Sequence, residues 1–132
     1  MFKKGPIPPF VHGVLDYGLA ALLIAAPFLF AFTADAATAV GVVAGVVVLV
    51  IASCTAWTAG IIKSIPVPAH AMLDLALAAL LIASPFLFGF TDDDSATPFF
   101  IVAGVVELLL AIATRYTPES GGRRRERDAT PA

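Results

Sequence analysis

The chain alternates between long stretches without a charged residue and short polar segments. Uncharged stretches cover residues 17–34, 36–62, 75–91 and 95–106, and the last continues beyond Glu107 to Thr114. A helix needs about 20 mostly apolar residues to cross the hydrocarbon core of a bilayer. The apolar runs do not alternate with polar positions, which argues against strands. The pattern therefore predicts four transmembrane helices, at residues 9–32, 37–60, 67–90 and 97–116.

The two halves of the chain are copies of one unit. Residues 7–35 align with residues 65–93 at an offset of 58, with 19 of 29 positions identical. After one extra residue the offset becomes 59, and Ala44-Gly45-Val46-Val47 matches Ala103-Gly104-Val105-Val106. Because each copy holds two spans, both copies should insert in the same direction. We predict two tandem helical hairpins related by a pseudo-two-fold axis along the membrane normal.

The composition favours lipid as the solvent for most of the chain. Of 132 residues, 59% are hydrophobic and 14% are charged, whereas a soluble domain carries about 25% charged residues. A water-soluble fold of this size could not bury so much apolar surface, because surface dominates at low mass. Cys54 is the single cysteine, which excludes an internal disulfide and any CxxC motif.

All eight lysines and arginines fall on one predicted side of the membrane. They lie before the first span, between the second and third, and after the fourth. The positive-inside rule makes that side cytoplasmic. We therefore predict a multi-pass protein of the inner or plasma membrane with both termini in the cytoplasm. Its predicted parts are a cytoplasmic N-terminus (1–8), the first repeat (9–60), a cytoplasmic linker (61–66), the second repeat (67–116) and a disordered basic tail (117–132).

The tail offers a contact with lipid rather than with nucleic acid. Its basic run starts within ten residues of the membrane and comprises Arg123, Arg124, Arg125 and Arg127. Each basic residue near an anionic leaflet contributes about 1 kcal/mol of binding. Nucleic acid is not expected as a partner, because the run is short and has no folded reader beside it. Beyond the bilayer itself, the remaining partner considered is a second copy, since the chain could form a homo-oligomer.

Several of these residues together resemble a known family. Each repeat begins with His-x-x-x-Asp and continues to a small residue before a proline-aromatic pair, Ala26-Pro27-Phe28 and Ser84-Pro85-Phe86. Over residues 7–116 the chain resembles the SPW repeat family, small bacterial membrane proteins whose name motif is Ser-Pro-Trp in the first helix of each hairpin. Serine is kept only in the second copy, and phenylalanine replaces tryptophan in both. The resemblance implies the two-hairpin topology and supplies no activity.

Five ionisable residues lie within the predicted spans: His12, Asp16, His70, Asp74 and Glu107. In each repeat the histidine and the aspartate are four residues apart and therefore share one helix face. The rise per residue places all three carboxylates in one layer, on the order of 10 Å from the cytoplasmic surface. The first repeat has Val48 where the second has Glu107, so this layer is asymmetric.

Three interpretations of this layer remain open. Charged groups at membrane depth usually face the bundle interior and often mark function. The favoured interpretation is structural, a hydrogen-bonded network that fixes helix register. The alternatives are proton- or cation-coupled transport or ion sensing, since histidine titrates near neutral pH, and a metal site built in the bundle core. His-x-x-x-Asp alone does not establish metal binding, so no metal and no cofactor are predicted.

No residue set indicates catalysis, because the chain lacks a Ser-His-Asp arrangement, a phosphate-binding glycine loop and HExxH. We therefore predict a protein that is not an enzyme. Asp92-Asp93-Asp94 lacks EF-hand spacing and is interpreted as a solvated loop.

Three further features concern how the helices pack. Gly41, Gly45 and Gly104 provide small faces for close contact between helices. Pro27 and Pro85 are interpreted as fixed kinks, with a hinge as the alternative. Trp57 is placed at the membrane interface, where amphipathic aromatic rings are favoured.

Overall fold

The computed structural model describes residues 5–114, and four helices account for most of them. They are α1 (Pro9–Leu29), α2 (Asp35–Ser53), α3 (Val67–Leu87) and α4 (Ala96–Ala113). All four are long and apolar enough to cross a membrane. Within the described range, extended pairing is limited to two isolated bridges, Ile7 with Thr114 and Thr55 with Ile65. The prediction of an all-α membrane protein with four spanning helices is confirmed.

The helices pack as two hairpins. α1 lies against α2 and α3 lies against α4, whereas the two hairpins touch each other far less. The loops within the hairpins, residues 30–34 and 88–95, share one end of the bundle, which we call the hairpin-loop end. The connection between α2 and α3 lies at the opposite end, which we call the linker end. The tandem hairpins are thus confirmed, and their relation by a pseudo-two-fold axis stays a prediction.

The second helix is shorter than its apolar run. It ends at Ser53, whereas the prediction extended it to residue 60. The chain folds back here, because the backbone N–H groups of Ile61 and Ile62 both donate to the carbonyl oxygen of Ser53, at 2.7 and 2.8 Å. The loop then runs beside Thr55, where the N–H of Ala56 donates to the carbonyl of Ile65 at 2.8 Å. Apolar composition therefore continues past the helix into a loop that packs on the bundle.

Glycines let the helices of each hairpin approach closely. A methyl group at Gly45 of α2 would lie 2.8 Å from the carbonyl oxygen of Ala20 in α1. The equivalent position in the second repeat is Gly104, where a methyl group would lie 2.9 Å from the carbonyl oxygen of Ala78. Gly41 faces the carbonyl of Leu23 in the same way, at 3.0 Å. All three glycines thus pack inside their own hairpins.

Aromatic rings fill the bundle near the hairpin-loop end. Phe32 of the first repeat packs against Phe99 and Phe100 of the second, with ring centroids 5.7 and 5.8 Å apart. Phe90 lies 5.2 Å from Phe100 and is buried with it. Apolar packing at this end therefore joins the two hairpins.

The proline-aromatic motif closes α1 and α3. Pro27 and Pro85 lie in the last turn of their helices, two residues before the ends at Leu29 and Leu87. Both prolines are buried, whereas the aromatic residues that follow them are exposed. In a membrane those rings face lipid. Whether either proline bends its helix stays a prediction.

Candidate functional site

Two histidines and two aspartates meet in the interior of the bundle. His12 and Asp16 lie on α1, His70 and Asp74 lie on α3, and all four side chains are buried. We call this group the His/Asp quartet. One ligand-type atom from each of the four residues lies within 4.8 Å of the others. The structure therefore brings together four of the five ionisable residues that the sequence placed within the spans.

The quartet is a ring in which every histidine faces both aspartates. Nε2 of His12 lies 3.2 Å from Oδ1 of Asp16 and 3.0 Å from Oδ2 of Asp74. Nε2 of His70 lies 2.9 Å from Oδ2 of Asp16 and 3.1 Å from Oδ1 of Asp74. In each carboxylate, one oxygen faces the histidine of the same helix, and the other oxygen faces the histidine of the other repeat.

Threonines hold the opposite side of each imidazole. Nδ1 of His12 lies 2.6 Å from Oγ1 of Thr114, and Nδ1 of His70 lies 2.7 Å from Oγ1 of Thr55. Each hydroxyl donates its single proton to a backbone carbonyl four residues earlier, at 2.7 Å for Thr114 and 2.6 Å for Thr55. The hydroxyl oxygen can therefore only accept from the histidine. This arrangement fixes Nδ1 as a protonated donor in both rings and leaves Nε2 facing the carboxylates.

Local sequence explains why these groups meet. Each histidine lies in the first turn of its helix, and its N–H donates to the carbonyl of the proline that precedes the helix, Pro8 or Pro66, at 3.1 Å in both cases. Each threonine follows closely after the last turn of α2 or α4. The starts of α1 and α3 and the ends of α2 and α4 all lie at the linker end of the bundle. The two histidines and the two threonines are therefore at the same depth along the bundle axis.

Trp57 covers the quartet from the linker end. Its ring centroid lies 4.2 Å from that of His70 and 5.6 Å from that of His12. Only 4% of Trp57 is exposed, and its indole N–H donates to the carbonyl of Ala52 at 3.1 Å. The ring is therefore enclosed by protein, and its predicted depth at the membrane interface stays a prediction. Because α2 ends early, the loop after it carries the indole inward over the imidazoles.

Glu107 does not join the quartet. Its side chain is 1% exposed, and neither carboxylate oxygen has a hydrogen-bond partner among residues 5–114. It lies in the wall of an apolar cavity of about 780 Å³ between α1 and α4, with Leu15 and Leu19 opposite. The equivalent cavity between α2 and α3 measures about 180 Å³ and has Val48 at the matching position. The two repeats therefore differ both in the residue at this position and in the size of the cavity beside it.

Asp93 is a second buried carboxylate that sequence reasoning missed. It was interpreted as part of a solvated loop, but it is 3% exposed. Burial raises the pKa of its carboxyl, and four backbone N–H donors outweigh that effect and hold the pKa below its ordinary value. The donors are Ala96, Ala34, Thr33 and Ser95. A single side chain thus joins the loops of both hairpins.

Thr55 and Thr114 were also missed as site residues, although one signal could have found them. They are equivalent at the offset of 59 that relates α2 to α4. Each repeat has a threonine at the end of its second helix and a histidine near the start of its first helix, at the same depth. This repeated pattern indicates a hydrogen bond that occurs twice. The predicted basic tail and the lysines at positions 3 and 4 lie outside the described residues.

Comparison with known proteins identifies the chain. A family model described as the SPW repeat domain matches residues 10–114. This match covers most of the chain and both hairpins, and the chain belongs to the SPW repeat family. No curated protein and no solved structure shows significant similarity to it.

Proposed function

We propose that this SPW repeat protein is a non-catalytic membrane protein whose His/Asp quartet fixes the packing of its two hairpins. The proposal rests on one observation above all, which is that each aspartate lies at ion-pair distance from a histidine of the other repeat. Asp16 reaches His70 at 2.9 Å, and Asp74 reaches His12 at 3.0 Å. The quartet is thus a cross-connection between two units.

The thin interface between the hairpins gives this connection its importance. Away from the aromatic rings, the hairpins touch little, and cavities of about 780 and 180 Å³ lie between them, the smaller one beside the quartet. In hydrocarbon no water is present to bond the polar groups, so they form hydrogen bonds with each other. One interhelical hydrogen bond in lipid contributes only about 0.6 kcal/mol on average. Removing one member of a buried pair costs more, about 3–5 kcal/mol, because a charge is left without its partner.

A double-mutant cycle tests the structural role. In detergent or nanodiscs, Asp74→Asn and His12→Gln should each lower the free energy of unfolding. The double variant should lose less than the sum, with a coupling of about 1 kcal/mol or more. Asp35→Asn is the matched control, because Asp35 is exposed at the first residue of α2. Unchanged unfolding profiles for both single variants would contradict the proposal.

The orientation proposed is that of the sequence, with both termini and the linker in the cytoplasm of a bacterial cell. The distribution of all eight basic residues supports it. In this orientation the quartet lies toward the cytoplasmic face, and Arg123, Arg124, Arg125 and Arg127 meet anionic headgroups. Cysteine labelling in intact cells, with single cysteines at positions 63 and 92 in a Cys54→Ala background, should label only position 92 from outside. Labelling of both from outside would overturn it.

A second candidate function is proton handling, favoured by the carboxyl of Glu107, which has no hydrogen-bond partner among residues 5–114. An ionised carboxylate without a hydrogen bond is costly in an apolar wall, so this group is suited to carry a proton. Reconstituted vesicles with a pH gradient should then show a proton flux that Glu107→Gln removes and Asp35→Asn keeps. No flux above that of empty liposomes would eliminate this candidate.

A further inference from the structure

We infer that the His/Asp quartet binds one divalent transition-metal ion of the Zn²⁺ class, held by the imidazoles of His12 and His70 and the carboxylates of Asp16 and Asp74. The inference concerns the site of the proposed function and rests on it in one respect, which is that the quartet must form. Its readout is bound metal rather than stability.

The ring has fewer protons than N···O contacts. Four N···O contacts of 2.9–3.2 Å surround the centre of the quartet. Each Nε2 carries at most one proton, so at most two protons serve four contacts. Oδ1 of Asp16 is buried and accepts no hydrogen bond from any residue in the range 5–114. A cation at the centre would interact with all of these atoms at once.

The spacing of the ring atoms fits a coordination shell. Zinc binds histidine nitrogen and carboxylate oxygen at about 2.0–2.2 Å in tetrahedral geometry, so neighbouring ligand atoms lie about 3.3–3.6 Å apart around it. The N···O separations of 2.9–3.2 Å are somewhat shorter than this edge length, so a small outward shift of the side chains would admit the ion. All four side chains come from two facing helices, as in metal sites built within helical bundles.

The threonines supply the outer hydrogen bonds that metal-bound histidines require. A histidine that binds a metal donates its other ring N–H to a neighbouring acceptor, which fixes its tautomer and orientation. Here Nδ1–H of His12 donates to Thr114 and Nδ1–H of His70 donates to Thr55. Both Nε2 lone pairs are thereby directed to the centre of the quartet.

The charges also balance. Two carboxylates and one divalent ion sum to zero with both imidazoles neutral. An electroneutral site avoids the penalty for burying net charge in the membrane.

The donor set selects the class of ion. Ca²⁺ and Mg²⁺ prefer shells made only of oxygen, whereas mixed imidazole and carboxylate donors suit Zn²⁺ and its first-row neighbours. The smaller cavity borders the quartet. It has a volume of about 180 Å³, and Asp16, His70 and Asp74 all form part of its wall.

Direct titration with Zn²⁺ and Co²⁺ tests the inference. Full-length protein in nanodiscs is stripped with a chelator, and bound metal is measured by elemental analysis after each ion is added. We expect one ion per chain. Trp57 is the only tryptophan, and its ring lies 4.2 Å from that of His70. Paramagnetic Co²⁺ should therefore quench its fluorescence with the same stoichiometry.

Variants separate this site from others. His12→Ala and His70→Ala should abolish stoichiometric binding, whereas Cys54→Ala and Glu107→Gln should retain it. Thr55→Val keeps all four ligands and removes one outer hydrogen bond, so it should weaken the affinity by about 10-fold. If the histidine variants fail to fold, the test depends on Thr55→Val. An unchanged metal affinity in that variant would overturn the inference.

The two proposals can fail separately. Folded wild-type protein that binds no Zn²⁺ and no Co²⁺ would eliminate the metal site while the unfolding cycle still measures the structural role. Stoichiometric metal bound by folded His12→Ala would also overturn the inference, by placing the ion elsewhere. Conversely, a vanishing coupling between His12 and Asp74 in metal-free protein would reject the structural role, and wild-type metal binding would stand.

Discussion

Oδ2 of Asp93 accepts a hydrogen bond of 2.7 Å from the backbone N–H of Thr33, which lies 60 residues earlier in the chain. The same oxygen accepts the N–H of Ala34 at 3.0 Å, just before α2. Its other oxygen accepts from Ser95 and Ala96 at the start of α4, at 3.1 and 2.9 Å. One carboxylate therefore caps α4 and ties it to the start of α2. Connections between the hairpins thus exist at both ends of the bundle, with the quartet toward one and Asp93 at the other.

Replacing Asp93 should weaken this second connection. Asp93→Ala leaves four backbone donors without their shared acceptor, and the loss of a helix cap alone costs about 0.5–2 kcal/mol. We expect the free energy of unfolding in detergent to fall by about 2 kcal/mol. Asp92→Ala removes the exposed neighbouring carboxylate and should change stability little. Equal effects from the two variants would show that Asp93 contributes nothing specific.

The difference in stability between wild type and Asp93→Ala should change with pH in a defined direction. The pKa of Asp93 is lower in the folded protein than its ordinary value, so the unfolded chain binds its proton first as pH falls. The contribution of Asp93 is therefore fully present above the unfolded pKa of about 3.9 and is lost as the pH falls through the lowered folded pKa. The gap in stability between wild type and Asp93→Ala should be constant near neutrality and close in acid. A gap that widened on acidification would contradict this assignment.

Close helix contact at the glycines predicts opposite effects for two similar substitutions. Gly45→Ala places a methyl group 2.8 Å from the carbonyl oxygen of Ala20 and should destabilise the hairpin by about 1–3 kcal/mol. Gly18→Ala puts the same methyl group in open space on α1. It should be neutral or stabilise by about 0.5–1 kcal/mol, since alanine is the better helix former. Thermal unfolding of the two variants in one detergent compares them directly.

One position in the α1–α2 loop carries backbone strain that its counterpart avoids. Ala31 has a φ of 50°, and its equivalent in the second repeat, Gly89, has a φ of 70°. A left-handed conformation costs a non-glycine residue roughly 1–2 kcal/mol. Ala31→Gly should therefore raise the unfolding temperature, and Gly89→Ala should lower it. A methyl group at Gly89 meets no atom within 4 Å, so that substitution reports on the backbone alone.

Glu107 should reduce stability in its present position. A buried carboxyl group without a hydrogen-bond partner costs about 1–3 kcal/mol. Glu107→Val installs the residue that the first repeat has at position 48 and should raise the free energy of unfolding by about that amount. The matched control is Val48→Ala, which removes apolar volume at the equivalent site and should destabilise. A fall in stability for Glu107→Val would indicate that the carboxyl group is bonded in the membrane.

The sequence predicted the elements of this fold well because their causes are local. Uncharged runs define spanning helices directly, and the duplication predicts two hairpins once one is identified. The four-residue spacing of His12 and Asp16 is sufficient to place both side chains on one helix face. These inferences need only helix periodicity and the thickness of a bilayer.

What the sequence did not predict depends on contacts distant in the chain. The end of α2 at Ser53 follows from a loop that folds back on the bundle, and apolar composition gives no sign of it. Trp57 was placed at the interface because indole rings favour that region, yet the folded loop carries it over the imidazoles. Asp93 belongs to a run of three aspartates, and only its two neighbours are exposed. Which of the three turns inward is decided by backbone donors 60 residues away.

The threonine bonds have a consequence for biosynthesis. Thr55 ends the first hairpin but bonds the histidine of the second, and Thr114 ends the second but bonds the histidine of the first. In the folded protein, neither hairpin supplies the acceptor for the Nδ1–H of its own histidine. During translation, the first hairpin is therefore made before Thr114, the acceptor of its histidine Nδ1–H. A chain truncated after residue 60 would lack Thr114 and would leave the Nδ1–H of His12 without this acceptor.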